Sequence, residues 1–503
     1  MKPHSILLLL PCMLLLPAPV NAQTHWTKHN GNPVFSPQGS QYENVGIGQP
    51  TCLFEDDTIK MWYASVGNDM KARILLAFST DAINWIRYNN ALPVLDVGQA
   101  GSWDQGWLDT PEIVKDGQGY KLYYYGDTVQ QVPEISSAIG AAWSPNGLNW
   151  TRYAGNPVLT EGDSLQFDGK WVESPAAIYD ADSQGYYIWY SGMNWNWFVR
   201  NGLATSDDAF TLTKYPANPV TPCGLTGSFD DMWVAVPAVI KTGPVFEMWY
   251  SGFSSLFGFD NVQIGYAVSL DGIRWIKYPA NPVYNRFFPP FDTAVDSHSP
   301  WAPDVVWHTG DQQYYMLYEG TGGIHLATSP RNVLDAPQCN VQVCPNTTHA
   351  LTDSAQLWAT GGQYYQWNPR SGLSNPDIWN PKVHLDPGGP LTQTYTVLIV
   401  SDSCVTTRQV QVTVEPFGLE EGEERLSFVK LFPNPADDRL MLTIAAGMLP
   451  AKWALSDPCG RECRRGLVSQ ISTRIETGGL SGGVYYFSIE SRQGRFVRKI
   501  VLQ

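Results

Sequence analysis

Two carboxylates occupy matching places in two copies of one recurring segment of the chain. Asp109 stands two residues before the proline of "WLDTPEIV", and Glu173 stands two residues before the proline of "WVESPAAIY". Paired carboxyl groups can cleave a glycosidic bond, because one protonates the leaving oxygen while the other attacks the sugar or activates water. Burial and crowding can raise the pKa of one member enough for the acid role, which we predict for Glu173.

The segment belongs to a unit that occurs five times. One column of prolines has spacings of 60, 64, 62 and 63 residues by subtraction, and it consists of Pro33, Pro93, Pro157, Pro219 and Pro282. A second column has spacings of 61, 64, 62 and 66 residues, and it consists of Pro50, Pro111, Pro175, Pro237 and Pro303. Each unit contains four short strand patterns, which is typical of a propeller blade. We therefore predict an all-β chain with a five-bladed β-propeller over residues 23–335.

The N-terminal segment is expected to close this ring. "HWTKH", residues 25–29, has the pattern of a fourth strand but precedes the first unit, whereas the last unit lacks its fourth strand. Within each blade the innermost strand starts at one face, the second strand returns to it and the third leaves it again. The loop into each innermost strand and the loop between the second and third strands therefore open on one face. Asp109, Glu173 and the loop "NWNWFVRN" at residues 194–201 then lie at the same mouth of the channel.

Composition narrows the class of ligand. The formal net charge is -15 and no basic stripe is visible, which argues against nucleic acid or an anionic membrane as a partner. Aromatic residues make up 13% of the chain, and flat rings stack well on neutral sugars. We predict carbohydrate binding by Trp195, Trp197 and Phe198, with Arg200 beside them as a candidate for an anionic substituent.

The N-terminus predicts export. Residues 1–22 have a basic start, an apolar run and a small residue before Gln23, as in a cleaved signal peptide. The run is too short and too interrupted by proline to span a bilayer, so no transmembrane segment is expected.

Five units with "MWYSG", "GYAVSLDGIRW", "NPV" and "WVESP" together resemble the five-bladed glycosidase superfamily that contains glycoside hydrolase families 43, 32 and 68 and, more distantly, 130. The resemblance implies that Glu173 is the general acid and that Asp109 holds the substrate or tunes the acid. The first blade departs from it, because families 43 and 32 carry an essential aspartate where this sequence has Gly48 and Gln49 in "GIGQPTCLF".

The missing acid leaves two interpretations open. In the first, the chain is a secreted glycoside hydrolase-like protein that acts on a polysaccharide or oligosaccharide. Another acid, such as Asp109, Glu112 or Asp304, then replaces the missing first-blade aspartate. In the second, it is a non-catalytic glycan-binding or surface adhesion propeller, so its status as an enzyme stays open. Glu112 and Asp304 directly follow prolines, and strand alternation predicts that they face the neighbouring strand instead of the channel.

Further ligand contacts are assigned to Gln49, Asp304 and His298. The resemblance to family 43 also implies a histidine near a channel cation such as calcium, for which His298 or His325 is a candidate. Neither histidine is accompanied by a Cys or His spacing typical of a metal site, so we predict no protein-bound metal and no other cofactor.

The propeller is followed by two further segments. Residues 336–416 resemble the Ig-like and PKD-like sandwich modules of secreted proteins, in which Cys344 and Cys404 are spaced like an inter-sheet disulfide. An acidic linker at 417–427 leads to residues 428–503, whose "LFPNPADDRLMLTI" and "GGVYYFSIESRQGRFVRKIVLQ" resemble the C-terminal sorting domain of type IX secretion. That resemblance implies the type IX machinery as a partner and a secreted or cell-surface location beyond the outer membrane.

Overall fold

A computed structural model describes residues 26–128, 137–256, 258, 261–287, 297–330, 339–350, 354–385, 392–415, 429–458, 460–491 and 494–503. The predicted signal peptide at 1–22 and the acidic linker at 417–427 lie outside these residues. The chain divides into two compact units, one formed by most residues up to 336 and the other mainly by residues 337–503.

The first unit is built from short strands, and its described residues include a 3-10 turn at Tyr88–Ala91. Its strands are β1 (Thr27–Lys28), β2 (Gly46–Glu55), β3 (Thr58–Val66), β4 (Ala72–Ser79), β5 (Ile86–Arg87), β6 (Trp107–Asp116), β7 (Gly119–Asp127), β8 (Ala138–Ser144), β9 (Thr151–Arg152), β10 (Leu159–Thr160), β11 (Trp171–Asp180), β12 (Gly185–Met193), β13 (Val199–Ser206), β14 (Thr213–Lys214), β15 (Trp233–Thr242), β16 (Val245–Phe253), β17 (Gln263–Ser269), β18 (Ile276–Lys277), β19 (Trp301–His308), β20 (Gln313–Gly320) and β21 (Gly323–Ser329).

These strands form five blades, as the repeat predicts. Blades one to four run from a long innermost strand, β2, β6, β11 or β15, through two further strands to a two-residue outer strand. The fifth blade has the order β1-β21-β20-β19, and Thr27 and Lys28 pair antiparallel with Thr328 and Ala327. The prediction that the N-terminal segment closes the ring is therefore confirmed, and closure leaves no long open sheet edge.

A buried acid near the start of each of the first four units fastens that blade internally. Asp168 is fully buried, pairs with Lys214 Nζ at 2.6 Å and accepts a hydrogen bond from the Tyr190 hydroxyl at 2.9 Å. Equivalent ion pairs join the column to the outer strands at Glu43–Arg87, Asp104–Arg152 and Asp230–Lys277. Because the same ion pair recurs in four blades, we interpret this column of acids as part of the scaffold.

Each innermost strand is interrupted at its X-Pro pair. The pairing register slips by one residue between Asp109 and Glu112 and between Glu173 and Ala176, which is a β-bulge. The residue before the proline is left-handed in all five blades, with φ of 50° at Gln49, 42° at Thr110, 50° at Ser174, 47° at Val236 and 47° at Ala302. The extra residue breaks strand alternation, so positions on both sides of the bulge face the propeller axis.

Residues 339–415 of the second unit form short sheets around a core that contains Trp367 and Tyr395, both fully buried. The strands are β22 (Gln342–Val343), β23 (Thr347–Ala350), β24 (Ala355–Gln356), β25 (Ala359–Thr360), β26 (Tyr364–Asn368), β27 (Lys382–Val383), β28 (Thr392–Val400) and β29 (Val405–Glu415). The main sheet has the order β23-β29-β28-β26.

The predicted disulfide is wrong in one partner. Cys404 is bonded to Cys339, with their Cα atoms 5.3 Å apart, and Cys344 is a free thiol. Cys344 packs into the core of the sandwich, where its sulfur accepts the Trp358 backbone N–H at 3.4 Å. Spacing along the chain did not reveal that the Cys344 side chain faces this core.

The last segment is a second small sandwich. Its strands are β30 (Val429–Phe432), β31 (Arg439–Ile444), β32 (Ala451–Ser456), β33 (Glu462–Val468), β34 (Ser472–Glu476), β35 (Gly483–Ser491) and β36 (Gly494–Leu502), with a 3-10 turn at Ala446–Met448. A three-stranded sheet β30-β31-β34 accompanies a four-stranded sheet β33-β32-β35-β36 around a shared apolar core.

Candidate active site

Asp109 is held rigidly at the start of the innermost strand of blade two. Its Oδ1 accepts the Thr110 backbone N–H at 2.8 Å, and its Oδ2 accepts the Trp107 indole N–H at 3.2 Å. Burial raises the pKa of Asp109, although these two hydrogen bonds act in the opposite direction. These two hydrogen bonds fix the Asp109 side chain within blade two. Its charge still acts on Glu173 of blade three.

Glu173 occupies the same position in blade three. Burial, and then the charge of Asp109, raises the pKa of Glu173 to about 7. A carboxyl group with a pKa of about 7 is protonated in about half of the molecules at pH 7, so the acid form that a general acid needs is available at neutral pH. The structure therefore brings together the two carboxylates that the sequence singles out, and it perturbs Glu173 in the direction expected for an acid.

A third carboxylate, Glu319, reaches this mouth from the second strand of blade five. Burial and then the charge of Asp109 raise the pKa of Glu319 to about 7, against a hydrogen bond from the Gln49 backbone. A Cβ atom built on Gly48 would lie 2.2 Å from Glu319 Oε2, so the carboxylate covers the glycine directly. Sequence reasoning missed Glu319, although its repeat column is otherwise uncharged: Ala64, Tyr125, Ser191 and Ser251.

Below the mouth, the axis of the propeller is almost filled. The five X-Pro pairs, Glu112 and Asp304 line a cavity of only about 20 Å³, room for about one water molecule. Both acids bond to neighbouring innermost strands, as strand alternation predicts, but the bulge also brings them to the lining of this cavity. This lower cavity is therefore too small to hold a sugar.

Glu112 and Asp304 interact with each other and not with the acids of the mouth. Burial and the charge of Asp304 raise the pKa of Glu112 well above its usual value, and burial raises the pKa of Asp304 to about 7. Glu112 accepts hydrogen bonds from the Ala177 backbone N–H at 2.9 Å and the Thr51 hydroxyl at 3.2 Å. The Cys52 backbone N–H donates to Asp304 at 2.7 Å. These contacts between strands give the pair a place in the scaffold.

The aromatic loop of blade three lies at the mouth face, as predicted. The Trp195 indole donates to Gly169 O at 3.1 Å, and the Trp233 indole donates to Trp197 O at 2.8 Å, so the loop bridges the innermost strands of blades three and four. The side chains of Trp195 and Trp197 remain 58% and 52% exposed. Lys170 Nζ lies 3.1 Å from the centroid of the Trp197 ring and covers one face of it.

The other predicted ligand contacts are dispersed. Phe198 and Arg200 are half-buried beside the loop, with the Arg200 guanidinium 5.7 Å from the Phe198 ring centroid. The Gln49 backbone N–H faces Glu319, and its side-chain Oε1 is buried without a hydrogen-bond donor. Asp304 belongs to the lower cavity, as described above.

The histidines do not converge on a cation site. His298 is exposed, whereas His325 is buried, with its Nε2 2.9 Å from Thr321 O. Across the described parts of the chain, no group of three or more His, Cys, Asp or Glu side chains could hold a metal ion.

Comparison with known proteins gives a family match for the C-terminal segment and partial similarity to two further proteins. Residues 430–503 match the Secretion system C-terminal sorting domain. An uncharacterised protein of Mycobacterium tuberculosis (strain CDC 1551 / Oshkosh) is 26% identical over 250 residues, 46% of this chain and 73% of its own. Acid beta-fructofuranosidase 1, a vacuolar protein of a Rosa hybrid cultivar, is 40% identical over 88 residues, 17% of this chain and 14% of its own.

Among solved structures, a glycosyl hydrolase from Bacteroides ovatus has 17% identity and a TM-score of 0.48 over 60% of this chain and 92% of its own. A thermostable family-43 glycoside hydrolase has 19% identity and a TM-score of 0.44 over 57% and 91%. A glycoside hydrolase of family 130 that targets β-1,2 mannosidic linkages in Candida mannan has 18% identity and a TM-score of 0.48 over 62% and 95%.

The fold and the C-terminal match together define an exported five-bladed propeller protein with a type IX sorting domain. The sorting domain directs such a chain to the secretion machinery of the outer membrane. None of the helices in the described residues is long and apolar enough to cross a membrane.

Proposed function

We propose that this protein is a secreted glycoside hydrolase in which Glu173 is the general acid and Asp109 tunes it. The observation that carries the proposal is their geometry: both project from the same bulged position of adjacent innermost strands into one mouth. Asp109 raises the pKa of Glu173 by its charge and is itself fixed by Thr110 and Trp107. After release from the machinery, the enzyme acts on polysaccharide outside the cell or at its surface.

The exposed rings of Trp195 and Trp197 support a sugar chain as the substrate. Rings fixed by their neighbours stack on pyranose or furanose faces with little ordering cost. Arg200 is placed to meet an anionic substituent, since its guanidinium lies at the edge of the same loop. The short likeness to a plant β-fructofuranosidase makes fructosides one class to test.

The test is a screen of the mature chain against 4-nitrophenyl glycosides, sucrose, inulin, arabinan, xylan and mannan. We expect turnover on at least one of them, and we expect Glu173→Gln to lower kcat about 100- to 10,000-fold. The loss should be smallest for glycosides with acidic leaving groups, because these need the least protonation. Glu247→Gln removes a buried carboxylate of blade four that bonds to Thr242 and Tyr266, and it should leave turnover within a few-fold.

The second candidate function is glycan binding without catalysis. Gly48 in place of the first-blade acid and the exposed tryptophans favour it. Binding to one of these polysaccharides, with no turnover by the wild-type chain and no effect of Glu173→Gln, would support the binding module and reject the hydrolase.

A further inference from the structure

Gly48 offers no side chain at the position from which Asp109 and Glu173 project in the next two blades, and Glu319 of the last blade covers it. We propose that Glu319 is the catalytic base that activates water, in the place left open by Gly48. This assignment rests on the proposed hydrolase function. It joins the two ends of the ring, because Glu319 on β20 crosses the seam between blades five and one to reach β2.

The equivalent residues of other blades show that the scaffold does not require a carboxylate here. The Ser191 hydroxyl accepts the Val236 backbone N–H of the next blade at 2.9 Å, and the Ser251 hydroxyl accepts that of Ala302 at 3.1 Å. Glu319 has the same column position and accepts the Gln49 backbone N–H of the next blade. A serine hydroxyl suffices for this bond between blades, so the carboxylate adds a charge that the fold does not need.

Gly48 and Glu319 are sterically complementary. A Cβ atom at position 48 would approach Glu319 Oε2 to 2.2 Å and Cδ to 2.6 Å, well inside contact distance. Glycine leaves this space free, and the glutamate carboxyl fills it. Glu319 Oε2 therefore lies in the space that a side chain at position 48 would occupy.

Asp109 acts on both glutamates. After burial, the charge of Asp109 is what raises the pKa of Glu173, and the same holds for Glu319. Both glutamates therefore lie close enough to Asp109 to interact with its charge. A base that activates water, instead of attacking the sugar itself, implies inversion at the anomeric carbon.

The reaction then proceeds in one displacement. Glu319 takes a proton from water as the water oxygen bonds to the anomeric carbon, and the glycosidic C–O bond breaks while Glu173 gives its proton to the leaving oxygen. Water is consumed, two sugar hydroxyls result, and the products leave Glu319 protonated and Glu173 ionised. Proton exchange with solvent restores the starting state.

Glu319→Ser is the decisive variant, because serine preserves the bond to Gln49 and removes only the carboxylate. With the glycoside found in the screen, we expect kcat to fall about 1000-fold and sodium formate to restore part of it. Ser251→Ala removes the corresponding bond between blades four and five and should leave turnover within a few-fold. Proton NMR of the first product should show inversion at the anomeric carbon.

A stability measurement locates the carboxylate without using activity. Gly48→Ala should destabilise the wild-type chain, because the new methyl group meets Glu319, and should be tolerated in Glu319→Ser. Additive effects of the two changes would overturn the placement. Unchanged turnover in Glu319→Ser, or retention of configuration, would overturn the assignment while the hydrolase function stands. Absence of turnover in the wild-type chain would reject both.

Discussion

Replacing Glu173 by glutamine tests the buried carboxyl group through stability, without a substrate. Its pKa is about 7 in the folded chain against 4.5 for an ordinary glutamate. Because the folded-state pKa is the higher one, the folded chain binds more protons than the unfolded chain between these pH values. The favourable contribution of the protonated group is complete below about pH 4.5 and is lost as the pH rises through 7.

The size of the effect follows from the two pKa values. Raising a carboxyl pKa from 4.5 to about 7 costs at most about 3.4 kcal/mol of folding free energy at alkaline pH. Glu173 is only half-buried, and solvent screening reduces this to about 1–2 kcal/mol. Glutamine carries no charge, so Glu173→Gln should stabilise the chain by that amount at pH 8.5 and by almost nothing at pH 4.5.

Calorimetry of the wild-type and variant chains at both pH values measures this difference. Glu55→Gln is the control of opposite sign. Although burial raises the pKa of Glu55, hydrogen bonds from Lys115, Lys60 and Tyr120 lower it to about 2. Its contribution is present above about pH 4.5 and lost toward pH 2, so its removal should destabilise the chain at pH 8.5. A Glu173→Gln effect that is equal at the two pH values, or destabilising at pH 8.5, would refute the reasoning.

Asp109→Asn should move the alkaline limb of the kcat–pH profile to lower pH, since it removes a negative charge that helps to raise the pKa of the acid; an unmoved limb would contradict this. Trp197→Ala should raise KM for a polysaccharide about two- to tenfold through lost stacking and leave KM for a small aryl glycoside unchanged. Asp168→Asn breaks a buried ion pair and should cost about 2–4 kcal/mol of unfolding free energy in urea, with kcat unaffected in the folded chain. Peptide mapping under non-reducing conditions should recover Cys339 linked to Cys404, and recovery of any other linkage would contradict the fold of the sandwich.

Much of the architecture was predictable because it repeats. Two proline columns in one register defined five units, and the unpaired "HWTKH" segment indicated how the ring closes. Repetition also exposed the departures from it: Asp109 and Glu173 stood out because equivalent positions hold no acid.

Contacts across the bulge and across the ring seam depended on tertiary structure. Strand alternation predicted that Glu112 and Asp304 face neighbouring strands, but it did not predict that the extra residue in each of their strands also brings them to the axial cavity. Cysteine spacing chose Cys344 as the partner of Cys404, but packing turned that thiol into the core and left Cys339 to form the disulfide.

The sequence by itself determined the number of blades, their closure and the positions of Asp109 and Glu173, because these follow from local patterns that recur at a constant spacing. Only the tertiary structure decided that Glu319 lies over Gly48. The two residues are far apart in the sequence and belong to different columns of the repeat, and they meet only because the ring closes. A contact between side chains of neighbouring blades leaves no periodic signal in the sequence. Here the contact depends on the space that Gly48, which has no side chain, leaves for Glu319.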